Sequence, residues 1–281
     1  SLGGIELKRN KRGLLTLPSV CWLLVFTMLP LLIMLYYSVQ ADDGTGFTWA
    51  NYLRFFSKDT YLRLTWRTIV MAVLVTVVSL LIAYPLAYIM EKKLRGAQGI
   101  ILVLIIIPFF TNQLVRVYSW LIFLQDGGVL DKLLGALQLT AGDSLGLLYT
   151  QAAVVIGLVH AYFPYMVITI YMALERMDTA MLEASASLGA TRWTTLRRVV
   201  FPASMPGVVS GILIVFVPCL GTFVEPRILG GTDGTVIGTV IEDQFTELYG
   251  WNFGAAIAFL LLALVLLSML AISKWGRRYE T

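Results

Sequence analysis

Six stretches of at least 20 residues contain no aspartate, glutamate, lysine or arginine: 14–41, 68–90, 96–115, 144–174, 199–224 and 248–273. A bilayer core about 30 Å thick needs about 20 apolar residues of helix, and each stretch supplies that length. The pattern predicts an all-α integral membrane protein with six transmembrane helices. Charges between the stretches alternate in sign. Lys8, Arg9, Lys11 and Arg12 precede the first stretch, and Lys92, Lys93 and Arg95 follow the second. Arg176, Arg192, Arg197 and Arg198 separate the fourth from the fifth, and Lys274, Arg277 and Arg278 follow the sixth. Two thirds of all lysines and arginines thereby fall on one side. The opposite loops carry Asp42, Asp43, Asp126, Asp131, Asp143, Glu242, Asp243 and Glu247. Basic loops remain cytoplasmic, so both termini are expected inside the cell. The expected plan is a basic segment 1–13, a first helix 14–41, an extracytoplasmic loop 42–66, a five-helix core 67–275 containing a cytoplasmic loop 175–202, and a tail 276–281.

Composition agrees with the pattern and narrows the class. The 281 residues are 58% apolar and 14% charged, with a mean hydropathy of +0.80. Soluble domains average about 25% charged residues, so a cytosolic or secreted enzyme is excluded. The net charge of +4 and pI near 9.0 are assigned to basic residues at the membrane surface, not to nucleic-acid binding. Cys21 and Cys219 sit inside apolar stretches and suggest neither a disulfide framework nor a metal site. The first stretch follows basic residues, as a signal peptide would. It is too long for one, carries Pro18 and Pro30, and lacks a small-residue cleavage site. A retained helix is expected, although Ser1-Leu2-Gly3-Gly4 has no initiator methionine and is compatible with processing or a non-native start.

Pro30, Pro85, Pro108, Pro164 and Pro218 fall within or near these helices, where each removes a backbone hydrogen bond and favours a kink. Such kinks either shape packing or create broken helices that line a pathway, as in many transporters. Ionisable and polar groups at membrane depth are costly and tend to face a bundle interior or a cavity. Arg116 lies one turn after Thr111-Asn112-Gln113, Glu225 and Arg227 flank Pro226, and His160 lies near Tyr162, Phe163 and Tyr165. Glu225 and Arg227 suggest either an interfacial ion pair or solute ligands. Arg116 suggests either snorkelling to headgroups or a ligand role, and His160 either a packing donor or a proton relay. Tyr36, Tyr37, Trp120 and Trp251 read as interfacial anchors. Asn112, Gln113, Arg116, Tyr162, Glu225 and Arg227 are therefore the candidate solute contacts.

No G-x-x-x-x-G-K-[ST] or H-E-x-x-H pattern and no serine–histidine–carboxylate arrangement occurs. Gly230-Gly231-Thr232-Asp233-Gly234 and Gly238 suit an extracytoplasmic turn better than a phosphate cradle. The chain is expected to be non-catalytic and to hold no cofactor of its own. A proton-coupled secondary transporter would have Glu225 as its only embedded acid. A non-transporting receptor or scaffold is the third class.

The loop between the fourth and fifth stretches discriminates among these classes. Asp178 suits an N-cap, Met181 to Leu188 suit a helix, Gly189 suits a left-handed stop, and Thr191 suits a second N-cap. Pro202 then opens the fifth span. A short helix, a turn and a second helix would present Leu182, Leu188 and Trp193, a knob suited to a groove on a soluble partner. The same residues resemble the EAA signature of bacterial ABC-importer permeases: Glu-Ala-Ala, three residues, Gly, nine residues, Ile-x-Leu-Pro. Here the signature reads Glu183-Ala184-Ser185, then Gly189, then Val199-Val200-Phe201-Pro202 with every spacing kept. In that family the segment forms the coupling helix that fits a cleft on the cytoplasmic ATPase. The resemblance assigns coupling to Glu183, Ala184, Ser185, Leu188, Gly189 and Pro202, acting through capping and turn geometry.

A narrower resemblance, to the spermidine/putrescine permease branch, covers most of the chain. It is carried by 47–52 (Phe-Thr-Trp-Ala-Asn-Tyr), 108–118, 205–211, Leu229-Gly230-Gly231 and 251–256. It implies a type I importer fold with six helices and a cytoplasmic N-terminus in the bacterial inner membrane. Also implied are a second homologous permease, two cytoplasmic ATPase subunits that bind ATP and magnesium, and an extracytoplasmic binding protein. ATP binding would close the ATPase dimer, move the docked coupling helices and rotate the bundles from inward- to outward-facing. The implied solute is a polyamine. Arg227 stands where that branch is expected to carry an acid, and a Glu225/Arg227 pair would instead suit a zwitterion or an anion.

Overall fold

The computed structural model describes residues 3–41, 44, 46–94, 96–137 and 144–277, with the backbone alone for 3–17. Asp42, Asp43, Arg95, Asp143 and Arg278, used above to orient the chain, lie outside the described residues. The described elements are α1 (Gly3–Val39), α2 (Ala50–Ser57), α3 (Asp59–Lys93), α4 (Gln98–Ile106), α5 (Gln113–Leu124), α6 (Val129–Ala136) and α7 (Gln151–Glu175). They continue with α8 (Thr179–Ser187), α9 (Arg192–Thr195), α10 (Phe201–Gly221), α11 (Val224–Leu229), α12 (Ile237–Thr246) and α13 (Trp251–Gly276). Among the described residues the only extended pairing is an isolated bridge between Gln40 and Phe47.

Five helices are long and apolar enough to cross a membrane, and a bent pair supplies a sixth crossing if it counts as one. The all-α, six-span expectation therefore holds, with three changes of detail. The expected span 96–115 is not continuous: Gln98–Phe110 and Gln113–Leu124 meet at 94°. Ile107–Phe110 is a 3₁₀ turn containing Pro108, and Thr111 and Asn112 are extended at ψ 148° and 139°. Proline removes one helical donor there, and the Asn112 side chain restarts the helix by accepting from Leu114 N at 2.8 Å. The expected span 199–224 ends at Gly221, because Thr222 is extended and α11 starts a new axis at Val224. The expected loop 42–66 is largely helical, since α2 lies within it and α3 already begins at Asp59.

Two contact units are present, 1–58 with 243–260 and 59–242 with 261–281. In the first, the end of α1 is tied down by polar side chains. Asn51 Nδ2 donates to the carbonyls of Ser38 and Gln40 at 3.3 and 3.1 Å, and Tyr52 Oη donates to Ser38 Oγ at 2.9 Å. Asn252 Nδ2 donates to the Ala41 carbonyl at 3.2 Å, and the Arg54 guanidinium lies 4.3 Å from the Phe253 ring centre. The segments 47–52 and 251–256, which carry part of the resemblance, thus latch this unit.

In the second unit α3, α7 and α10 form the core, with Ala72, Val75, Ala83, Leu158, Met166, Ile170, Val208, Val215 and Cys219 buried. Lipid offers no hydrophobic drive between helices, so close packing of small residues holds them together. Gly207 and Gly211 form a small-x-x-x-small step on α10. A Cβ on Gly207 would lie 2.5 Å from both Ala173 Cβ and the Thr169 carbonyl oxygen, and one on Gly211 would meet Met166 Sδ at 2.5 Å. A backbone oxygen cannot rotate aside as a side chain can. Gly207→Val is therefore expected to cost about 1–3 kcal/mol of overpacking, read as a lowered unfolding temperature in detergent. An unchanged transition would contradict this packing.

Candidate functional site: a coupling knob and a buried carboxylate

The loop 175–202 folds from local rules. Asp178 Oδ1 accepts from Ala180 N at 2.9 Å and opens α8. Gly189 closes it at φ +73°, where Gly189 N donates to Ala186 O at 2.9 Å and Ala190 N to Ser185 O at 3.1 Å. Thr191 Oγ1 accepts from Thr194 N at 3.3 Å and opens α9. A π-helical turn, Leu196–Val200, then runs directly into α10, so Pro202, which has no N–H to donate, falls just after the π-turn of a continuous helix. Ser185 is buried, and its hydroxyl pairs with Thr195 Oγ1 at 2.9 Å, joining α8 to α9.

Of the three apolar side chains expected to face outward, Leu188 and Trp193 do so, at 88% and 70% exposure. Leu182 does not. It is half-buried against the core, and Met181 takes the exposed position beside it. Glu183 lies exposed in mid-helix, Ala184 accepts from Leu188 N at 3.1 Å, and both caps belong to Asp178 and Thr191.

The candidate solute contacts divide. Glu225 is 1% exposed, and both of its oxygens are held: Gln113 Nε2 donates to Oε1 at 2.9 Å and Thr222 Oγ1 to Oε2 at 2.8 Å. Gly157 of α7 lets this region close up, since a Cβ there would be 2.6 Å from Leu229 Cδ1 and 3.9 Å from Glu225 Cγ. Glu225 has no ion pair among the described residues. Arg227 does not pair with it. It forms a salt bridge with Glu242 across the turn between α11 and α12. The two side chains on either side of Pro226 leave the short helix in different directions, which removes the expected Glu225–Arg227 pair.

Arg116 does not extend outward as a snorkelling side chain would. Its guanidinium lies 4.7 Å from the Phe109 ring centre, and Nη1 is buried without a partner. With Ser119, Trp120, Phe123 and His160 it lines a cavity of about 310 Å³. His160 and Trp120 rings meet edge to face at 5.4 Å, so Trp120 packs inside the chain besides any interfacial role. Tyr162 packs against the apolar core, and Asn112 serves as the cap of α5. The glycines from Gly230 form the expected turn, closed by Gly234 N donating to Gly230 O at 2.7 Å.

Thr222 and Glu242 were absent from the sequence-derived set. Thr222 carried a usable signal, a hydroxyl three residues before an acid at a helix start. Glu242 carried none, because its partner is chosen by the turn between the helices.

An all-helical bundle with a broken third span and a two-helix knob between α7 and α10 is the fold of type I ABC importer permeases, and solved structures share it. A chain of the bacterial alginate ABC transporter, in complex with an alginate pentasaccharide-bound periplasmic protein, aligns at a TM-score of 0.82 with 17% identity, covering 97% of this chain and 96% of that one. A chain of the inward-facing MetNI methionine ABC transporter aligns at 0.55 with 21% identity, covering 78% and 95%. Residues 81–278 match the family described as binding-protein-dependent transport system inner membrane component. The spermidine/putrescine transport system permease protein PotB of Haemophilus influenzae is 34% identical over 88% of this chain and 87% of that protein. The Escherichia coli K12 protein of the same name is 35% identical over 92% and 95%. The chain belongs to this family of binding-protein-dependent inner-membrane permeases. It is a multi-pass permease subunit of an ABC importer in the bacterial inner membrane.

Proposed function

We propose that the permease carries a polyamine such as spermidine or putrescine, and that Glu225 receives an ammonium group on its way through. The carrying observation is a buried carboxylate held only by neutral donors. A carboxylate removed from water keeps most of its hydration cost unless a cation offsets it. Gln113 and Thr222 offset part of it and leave the charge itself for a cationic solute. The likeness to spermidine/putrescine permeases over about nine tenths of the chain supports the same solute. The Glu225/Arg227 pair that would suit a zwitterion or an anion does not form, because Arg227 is engaged by Glu242.

In this reading the chain pairs with a second, homologous permease, and each permease docks one of two cytoplasmic ATPases through 175–202. Leu188 and Trp193 enter the ATPase cleft, while an extracytoplasmic binding protein delivers the solute to the opposite face. Both termini lie in the cytoplasm, and ATP and magnesium are bound by the ATPases alone. Movement of the knob turns the bundle and exposes Glu225 to one side and then the other.

The test is ATP hydrolysis by the reconstituted complex in proteoliposomes. The expected result is stimulation by binding protein loaded with spermidine or putrescine, with little stimulation by empty protein. Stimulation only by a protein loaded with an amino acid or aminophosphonate would overturn the polyamine assignment and keep the importer. Uptake driven by a proton gradient without ATP would overturn both.

A further inference from the structure

A second cavity, whose lining does not include Glu225, lies between α3 and α7. It encloses about 370 Å³ and is lined by Val70, Met71, Leu74 and Val78 on one side and by Val155 and Ile156 on the other, with Arg67 and Gln151 at one end. The α3 residues follow helical spacing and form one apolar stripe. Val70 and Leu74 are both about half exposed, so the groove opens to the outside of the bundle. Apart from its end, nothing in the groove is polar enough to favour a water-soluble ligand.

The end is where the chemistry lies. Arg67 is the last charged residue before the charge-free run 68–90, and Gln151 is the first residue of α7. The guanidinium therefore sits at the depth where the hydrocarbon begins, next to Trp66, whose ring is largely exposed as an interfacial anchor would be. With the Gln151 amide turned so that its oxygen faces Arg67, that oxygen accepts from Nε and Nη2, both at 2.7 Å. A neutral amide orients the guanidinium without cancelling its charge, and among the described residues Arg67 has no carboxylate partner. A guanidinium carries five N–H donors, and this pairing engages two. An apolar groove open to the outside of the bundle, ending in an oriented cation at headgroup depth, is complementary to an anionic phospholipid in polarity and charge.

We propose that the α3–α7 groove binds one acyl chain of an anionic phospholipid, with the lipid phosphate on Arg67. α3 and α7 both start at this end and run toward the coupling loop, so the headgroup lies in the leaflet opposite the ATPases. Residues Arg67 and Gln151 recognise the headgroup, and Leu74 and Val78 set the chain's depth.

The test is native mass spectrometry of the intact importer released from nanodiscs containing equal phosphatidylglycerol and phosphatidylcholine. Wild-type complex is expected to retain a phosphatidylglycerol adduct. Arg67→Gln should lose that adduct and Arg67→Lys should keep it. Leu74→Trp, which fills the groove and leaves the charge in place, should lose it as well. Equal retention by the wild type, Arg67→Gln and Leu74→Trp would overturn the proposal. So would a disulfide cross-link between Leu74→Cys and a cysteine on a partner subunit, because that places protein in the groove. The readout is bound lipid, so it stands or falls independently of the polyamine reading.

Discussion

Gly189→Val is expected to reduce solute uptake at least tenfold while the membrane bundle keeps its thermal stability. At φ +73° Gly189 occupies the left-handed region, which costs an L-residue about 1–2 kcal/mol and a β-branched one more. An added Cβ would meet nothing within 4 Å, so the penalty is purely one of backbone conformation. The chain escapes it by unwinding the turn that closes α8. That turn carries the hydrogen bonds from Gly189 N to Ala186 O and from Ala190 N to Ser185 O, and it aims α9. A destabilisation of 1–2 kcal/mol lowers the population of the native turn by a factor of about 5–30. Leu188 and Trp193, on either side of Gly189, would then no longer share one fixed surface. ATP hydrolysis should continue without responding to loaded binding protein. Gly189→Asn separates the turn from the side chain, because asparagine tolerates the left-handed region and should transport nearly as well as the wild type. Uptake at the wild-type level by Gly189→Val would remove the knob geometry from the coupling mechanism.

That this loop could be read from the chain at all follows from its locality. Asp178, Gly189 and Thr191 each act within five residues, through caps whose chemistry depends on side-chain type and backbone sign. The membrane spans are legible for a related reason, since the absence of charge over 20 residues is a requirement of the solvent and not of any particular neighbour. The misread Leu182 marks the limit of such reasoning, because which face of α8 turns inward is set by the core beneath it. The break after Phe110 was hidden in the same way. Pro108 predicted a kink, but the 94° turn also needs two extended residues, Thr111 and Asn112, whose conformation no charge pattern records. Long-range pairing was the least legible. Gln113 and Glu225 are 112 positions apart, and their contact exists because α5 and α11 both begin at breaks in their spans. Proximity in sequence instead suggested Glu225 with Arg227, and the structure gives each a different partner.

Glu225→Gln is expected to reduce polyamine uptake by about ten- to a hundredfold without impairing assembly. Hydrogen bonds to a charged group contribute about 1.5–3 kcal/mol, which is the interaction a substrate ammonium would lose with a neutral amide. The folded state is affected differently. Removing a buried charge relieves its desolvation, while the amide oxygen can still accept from Thr222 or Gln113. Stability should therefore be unchanged or slightly raised, which separates a solute contact from a structural acid. Glu225→Ala would be a poorer probe, because it leaves the Gln113 amide and Thr222 hydroxyl without their acceptor and adds a cavity between α7 and α11. Glu225→Asp keeps the charge on a stem one methylene shorter, and it should retain more uptake than Glu225→Gln if charge is what matters. The measurement is the uptake rate of spermidine into proteoliposomes, compared with the amount of intact complex recovered on purification. Full uptake by Glu225→Gln would exclude the carboxylate from the path. Loss of the complex with that same substitution would make Glu225 a structural residue, with Gln113 and Thr222 as its permanent partners.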